Sequence, residues 1–166
     1  MSAILSDADL APQVLEVTAA SVEPLAALHA QAFEAPWSAA ELARMIDGPC
    51  AFALAIGTGA QAADIQGFVV ARAIAGEAEI LTLAVRPDMR RRGLARSLIA
   101  AVCTRAVDHG ARVLWLEVAV DNSAALALYQ SLGFEAAGRR PAYYGREQGG
   151  PVDALVMRRD LNSSVS

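Results

Sequence analysis

Apolar and polar positions follow two rhythms along this chain, and the switches between them lay out the elements. Residues 14–18 have the short, β-branched character of a strand. Ser21 stands where a hydroxyl caps a helix, and Leu25 and Leu28 mark one face of a helix running to about Phe33. Ser38-Ala-Ala-Glu41 matches a capping box, followed by Leu42 and Ile46 at helical spacing, and Gly48-Pro49 ends that helix. Residues 51–56 and 65–73 read as two strands joined by a Gly-rich turn, and 79–85 as a further strand closed by Pro87. Leu94, Leu98 and Val102 are spaced by four, which predicts a helix to about Asp108 that Gly110 stops. The nearly unbroken apolar run at 113–118 is the pattern of a strand buried on both faces. A short helix over 123–132 ends at Gly133, and 134–140 and 152–157 make two last strands.

The resulting order is βααβββαβαββ. Strands joined through helices force at least one parallel pairing, so the expected fold class is α/β: a mixed sheet of about 6–7 strands flanked by about four helices. Residues 13–161 read as a single domain, with 1–12 as a flexible leader and 162–166 as a polar tail.

Composition narrows the function. Hydrophobic residues make up 55% of the 166, too many for a disordered chain, and much of that is alanine. All 14 basic residues are arginine, and the net charge of −4 argues against a general nucleic-acid binder while suiting a cationic substrate. Cys50 and Cys103 lack CxxC spacing and read as two small buried hydrophobes. His29 and His109 form no cluster, so no metal site is expected; His109 precedes Gly110 as the C-terminal residue of a helix. The N-terminus lacks a basic segment followed by an apolar run, and the longest uncharged stretch, 48–63, is shorter than the ~18 residues that span a bilayer. The expectation is a soluble, cytoplasmic protein, monomeric, with no membrane or nucleic-acid partner.

Three features carry candidate chemistry. The first is Arg90-Arg91-Arg92-Gly93-Leu94-Ala95, between a strand and a helix. A helix start offers unpaired N–H groups and a partial positive charge that suit phosphate, Gly93 lets a ligand approach the backbone, and the arginines add charge-assisted hydrogen bonds. Read plainly, it is an exposed basic turn; it is neither a Walker motif nor GxGxxG. The second is Glu117 inside the apolar run. A carboxylate there is costly unless paired or neutralised, and such an environment is how proteins make a general base; the plain reading is a salt-bridged glutamate. The third is Tyr129 in the short helix, whose apolar side carries Leu126, Leu128 and Leu132, with Asn122 and Asp121 ahead of it. A core aromatic and a pair of helix-capping residues are the plain alternatives.

Taken in order, strand, RxxGxA, helix, strand with Glu, Asn, and helix with Tyr-x-x-x-Gly-Phe, these features resemble the GNAT acetyltransferases. The matching text is residues 80–95, Leu114-Trp-Leu-Glu-Val118 and Asn122 to Phe134, with weaker echoes in Ala35-Pro-Trp-Ser38, Ala142-Tyr-Tyr144 and Asp153-Ala154. The likeness is to the RimI branch, which acetylates the N-terminal alanine of a small-subunit ribosomal protein. The resemblance implies a sheet whose two central strands splay to admit acetyl-CoA, and it implies roles. The backbone of Leu83, Ala84 and Val85 would bond the pantetheine arm and face the acetyl carbonyl. Arg90, Arg91, Arg92, Gly93, Leu94, Ala95 and Arg96 would hold the pyrophosphate, and Asn122 would contact CoA. Glu117 would be the general base and Tyr129 the general acid. Trp37, Ser38, Tyr143 and Tyr144 would lie near the amine-binding mouth. One departure concerns the acceptor: an arginine common after Leu-Glu-Val in that branch is replaced here by Ala119, then Val120 and Asp121.

The implied chemistry is direct attack of an amine on the thioester, with a protein or peptide N-terminus as acceptor, ribosomal in that branch. An α-amine has a pKa near ~7.7–8 against ~10.4 for lysine, so deprotonating lysine costs roughly 3.5 kcal/mol more. The rival readings are a GNAT acting on a small-molecule amine and a CoA-binding module without catalysis.

Overall fold

The computed structural model describes residues 11–58, 65–145 and 148–162. In chain order the elements are β1 (Gln13–Val17), a 3-10 turn (Ala19–Ser21), α1 (Val22–Ala32), α2 (Ala39–Ile46), β2 (Ala51–Gly57), β3 (Ile65–Ile74), β4 (Glu77–Val85), a second 3-10 turn (Pro87–Met89), α3 (Leu94–Asp108), β5 (Val113–Ala119), α4 (Ser123–Ser131), β6 (Glu135–Tyr144) and β7 (Val152–Asp160). The order matches the sequence reading. Most of the leader and the tail, and the Gly-rich turn between β2 and β3, lie outside the described residues.

The strands hydrogen-bond in the order β1-β2-β3-β4-β5-β7-β6. The β1–β2, β5–β7 and β6–β7 pairs are antiparallel, while β4 and β5 are parallel, the pairing that a helical crossover requires. In the parallel ladder Glu77, Ala78 and Glu79 face Val113, Leu114 and Trp115, and β5 pairs with β7 along its whole length.

The chain gathers into two compact units. The first comprises the residues up to Val70 with Thr82–Ala101, and the second Ala71–Leu81 with Val102 onward. The core of the first is Leu25 and Leu28 of α1, Leu42 and Ile46 of α2, Phe52–Ile56 of β2, Phe68–Val70 of β3, and Leu94, Leu98 and Ile99 of α3. The core of the second is built on Ile80, Val102, Ala106, Leu114, Leu116, Val118, Phe134 and Met157.

Several expectations change in detail. Ser21 does not cap α1 with its side chain; it ends a 3-10 turn whose backbone Ser21 N–H donates to Thr18 O at 3.0 Å. β4 starts at Glu77 because Ala75 (φ 53°) and Gly76 (φ 83°) close a two-residue hairpin with β3, a geometry that needs two positive φ angles. The strand buried on both faces is β2, not β5. In β5, Leu114, Leu116 and Val118 are buried while Val113, Trp115 and Glu117 are only half-buried, and Trp115 and Glu117 line a cavity. Cys50 is exposed, in a left-handed turn (φ 62°) that places it at the surface ahead of β2, and only Cys103 is partly buried.

Candidate active site

In the first unit, β3 and β4 approach closely. A Cβ on Gly67 would stand 3.1 Å from Ala84 O and 3.2 Å from Val85 Cγ2, so glycine there sets the spacing of the strand end that carries Leu83, Ala84 and Val85. Beyond it, Arg86 and Asp88 pair at 2.6 Å across the second 3-10 turn. The pair raises the Arg86 pKa and lowers that of Asp88. The chain then turns through Arg91 (φ 63°) and Gly93 (φ 78°) into α3. Space around Gly93 is open, so its positive φ, not crowding, asks for glycine. Helical bonding includes Ser97 N–H donating to Gly93 O at 3.0 Å, across the start of α3. Arg90, Arg91, Arg92 and Arg96 are exposed around this helix start, while Leu94 plugs into the core.

The α1–α2 connection carries Trp37 and Ser38. The Ser38 hydroxyl is used in the capping box: it accepts from Glu41 N–H at 3.2 Å, and Ser38 N–H donates to Glu41 Oε2 at 2.7 Å. These bonds lower the Glu41 pKa. Trp37 is half-buried, and its N–H donates to Nδ1 of His29 at 3.1 Å. Sequence reasoning gave His29 no role. Its signal was a polar residue beside Leu25 and Leu28 on the buried stripe of α1.

In the second unit, Glu117 lies in mid-strand with its side chain 18% exposed, and the Arg140 guanidinium of β6 pairs with it at 2.8 Å. The Tyr144 hydroxyl donates to the Glu117 carbonyl at 3.4 Å. Arg140 also stacks over the Tyr143 ring at 4.8 Å, and Tyr143 and Tyr144 meet edge-on at 4.9 Å. Tyr129 is buried in α4 against Phe134, with ring centroids 5.7 Å apart. Burial, and secondarily Tyr144, pushes the Tyr129 phenol up to about 12, so it holds its proton throughout the neutral range. The fold thus brings Glu117, Tyr143, Tyr144 and Arg140 together. Asn122 caps α4, its Oδ1 accepting from Ala125 N–H at 3.2 Å.

A bulge in β6 makes this arrangement. The β6–β7 register shifts between Arg140 and Tyr144, and Ala142 takes a left-handed φ of 52°. Asp153 of β7 holds it: Oδ1 accepts from Ala142 N–H at 2.8 Å and Oδ2 from Arg139 Nε at 2.6 Å. The same bonds lower the Asp153 pKa. The sequence reading marked Asp153 only as an echo and missed Arg140, since neither the bulge nor the pairing across strands is encoded locally. Beside Glu117 lies a cavity of about 300 Å³, whose walls include Arg72, Ile74, Glu79, Trp115 and Val156. Arg72 and Glu79 neutralise one another there at 2.8 Å.

The model of the acetyltransferase (GNAT) family matches residues 22–134. The chain is 42% identical over 90 residues to the [ribosomal protein bS18]-alanine N-acetyltransferase of Salmonella typhimurium, covering 54% of this chain and 60% of that protein. It is 35% identical over 147 residues to the N-alpha-acetyltransferase RimI of Mycobacterium tuberculosis, covering 87% of this chain and 89% of that one. The crystal structure of the ribosomal-protein-S18-alanine N-acetyltransferase from Escherichia coli superimposes with a TM-score of 0.82 at 28% identity, over 91% of this chain and 94% of that one. The match therefore spans about three fifths of the Salmonella relative and most of the other two. On the family model and on these likenesses, the chain belongs to the GNAT acetyltransferase family, and within it is similar to RimI-type enzymes.

Proposed function

We propose that the chain transfers the acetyl group of acetyl-CoA to the free α-amine of a protein N-terminus, with Glu117 as general base and Tyr129 as general acid. The observation that carries the reading is the setting of Glu117: a mid-strand carboxylate, paired with Arg140 and braced by Tyr144, in the same unit as a buried phenol that stays protonated. The names of the Salmonella, M. tuberculosis and E. coli relatives support an N-terminal acceptor, and an N-terminal alanine of a small-subunit ribosomal protein is the specific substrate proposed.

Acetyl-CoA supplies the acyl group as an activated thioester. The residues present fit it: the N-terminal end of α3 and the exposed guanidiniums of Arg90, Arg91, Arg92 and Arg96 suit a diphosphate. The β4 backbone at Leu83, Ala84 and Val85 suits an amide-bearing arm. Backbone N–H groups there would also stabilise negative charge on the carbonyl oxygen. Glu117 takes a proton from the attacking amine, directly or through water. Tyr129 gives one to the departing sulfur. Trp37 in the first unit, and separately Tyr143 and Tyr144 in the second, are proposed as acceptor-side residues.

The test is a thiol-release assay with acetyl-CoA on peptides beginning with alanine, on the same peptides blocked at the α-amine, and on free polyamines and amino acids. Turnover confined to open N-termini is expected. Turnover confined to the small amines would move the acceptor class, and acetyl-CoA binding without turnover on any amine would overturn the enzymatic reading.

A further inference from the structure

His29 is only 2% exposed, yet it sits on the face of α1 that packs into the first unit with Leu25 and Leu28. A polar ring is tolerated there because both nitrogens are satisfied. The Trp37 N–H donates to Nδ1 at 3.1 Å, so Nδ1 carries a lone pair and the proton of the imidazole is on Nε2. Nε2 lies 3.1 Å from Thr82 Oγ1 of β4, to which it donates. The ring stacks with Phe33 (4.3 Å, 20°) and with Trp37 (5.2 Å, 14°), and tilts against Phe68 of β3 (6.2 Å, 44°). No other side chain supplies all of this. Glutamine has the donor and the acceptor without the ring, and phenylalanine has the ring without either.

We propose that His29 is a positioning residue for the acceptor side of the reaction: as the Nε2–H tautomer it fixes the Trp37 turn to Thr82, one residue before the β4 backbone assigned to the thioester arm. This rests on the reading of Trp37 and of Leu83, Ala84 and Val85 given above. Trp37 is held from two sides, since the capping box at Ser38 follows it directly. Moving this turn away would break the bond from the Trp37 backbone N–H to Nδ1, and turning the indole alone would unstack it from the imidazole. The imidazole also has to remain uncharged, because a protonated Nδ1 cannot accept. Burial lowers its pKa to about 4, opposed by Glu41 of α2, the charged group facing it; Thr82 and Phe68, from β4 and β3, are neutral.

The test compares wild type, His29→Leu and His29→Gln on an alanine-initiated peptide. His29→Leu is expected to raise the KM for the peptide about tenfold, the loss typical of one buried hydrogen bond. The KM for acetyl-CoA should stay within about twofold, and His29→Gln should recover most of the peptide affinity. An unchanged peptide KM, or an equal rise in both constants, overturns the proposal. An independent arm needs no variant to fold: nitrogen-15 NMR of the wild-type imidazole at pH 5.5. A free histidine, with a pKa near ~6.5, is about nine-tenths imidazolium at that pH. His29 should show a bare Nδ1 and a protonated Nε2, and an imidazolium or an Nδ1–H tautomer would sink the idea. If wild type acetylated no peptide, the functional reading would fail and the NMR result would still decide whether the clamp exists.

Discussion

Glu117 and Tyr129, proposed above as base and acid, stand in different surroundings. Glu117 keeps partial access and a counter-ion, whereas Tyr129 is sealed off and left protonated. Glu117→Gln and Tyr129→Phe should each lower kcat by about 10²-fold or more, the usual range for a lost acid or base. The KM for acetyl-CoA should change little; steady-state thiol release reads both. Because the Tyr129 phenol is held up to about 12, the rate should show no alkaline limb from it between pH 7 and about 10. His29 makes a second pH prediction. Its pKa is about 4 in the folded chain against 6.5 when free, so the unfolded state binds its proton first as the pH falls. Its contribution is fully present above pH ~6.5 and is lost as the pH falls toward ~4, by up to about 3 kcal/mol. Urea midpoints at pH 7 and 4.5 should therefore differ more in wild type than in His29→Gln.

At the scale of elements, the β6 bulge does the aiming. Asp153 holds the strained Ala142 and the Arg139 side chain, and so sets where Arg140 and Tyr144 meet Glu117. Asp153→Ala should lower kcat/KM for the peptide between about tenfold and a hundredfold, as misplacement by roughly an ångström does, without altering the KM for acetyl-CoA. The Arg91–Gly93 turn is the opposite case. Arg92→Ala should raise the KM for acetyl-CoA several-fold and spare the acceptor constant; an unchanged KM would remove the guanidinium from that role. Much of this was legible in the sequence. The capping box at Ser38, the helix start at Leu94 and the α4 stop at Gly133 are local, because a few neighbouring residues satisfy the same backbone groups in any context. The β6 bulge was not, since it depends on an acid in the next strand, and β6 accordingly runs to Tyr144 where the pattern predicted an end at 140.

At the scale of the molecule, a direct transfer needs no covalent intermediate on the protein. Cys50 is exposed, and burial raises the Cys103 thiol pKa, so an alkylating reagent should reach Cys50 first. The double variant Cys50→Ser/Cys103→Ala should turn over within about twofold of wild type, since neither sulfur has a role in the proposed chemistry; loss of all turnover in a folded double variant would contradict it. Among the described residues no helix is long and apolar enough to cross a membrane.

The order of strands and helices, the mixed sheet and the family were determined by the sequence alone, because periodicity, helix stops and short motifs are properties of neighbouring residues. Which strand is buried on both faces and which partners meet Glu117 and His29 were decided only by the tertiary structure. Arg140 is 23 residues from Glu117, and Thr82 is 53 from His29. No local pattern encodes such pairs; packing selects them when it brings distant groups within hydrogen-bond reach and removes the water that would otherwise satisfy them.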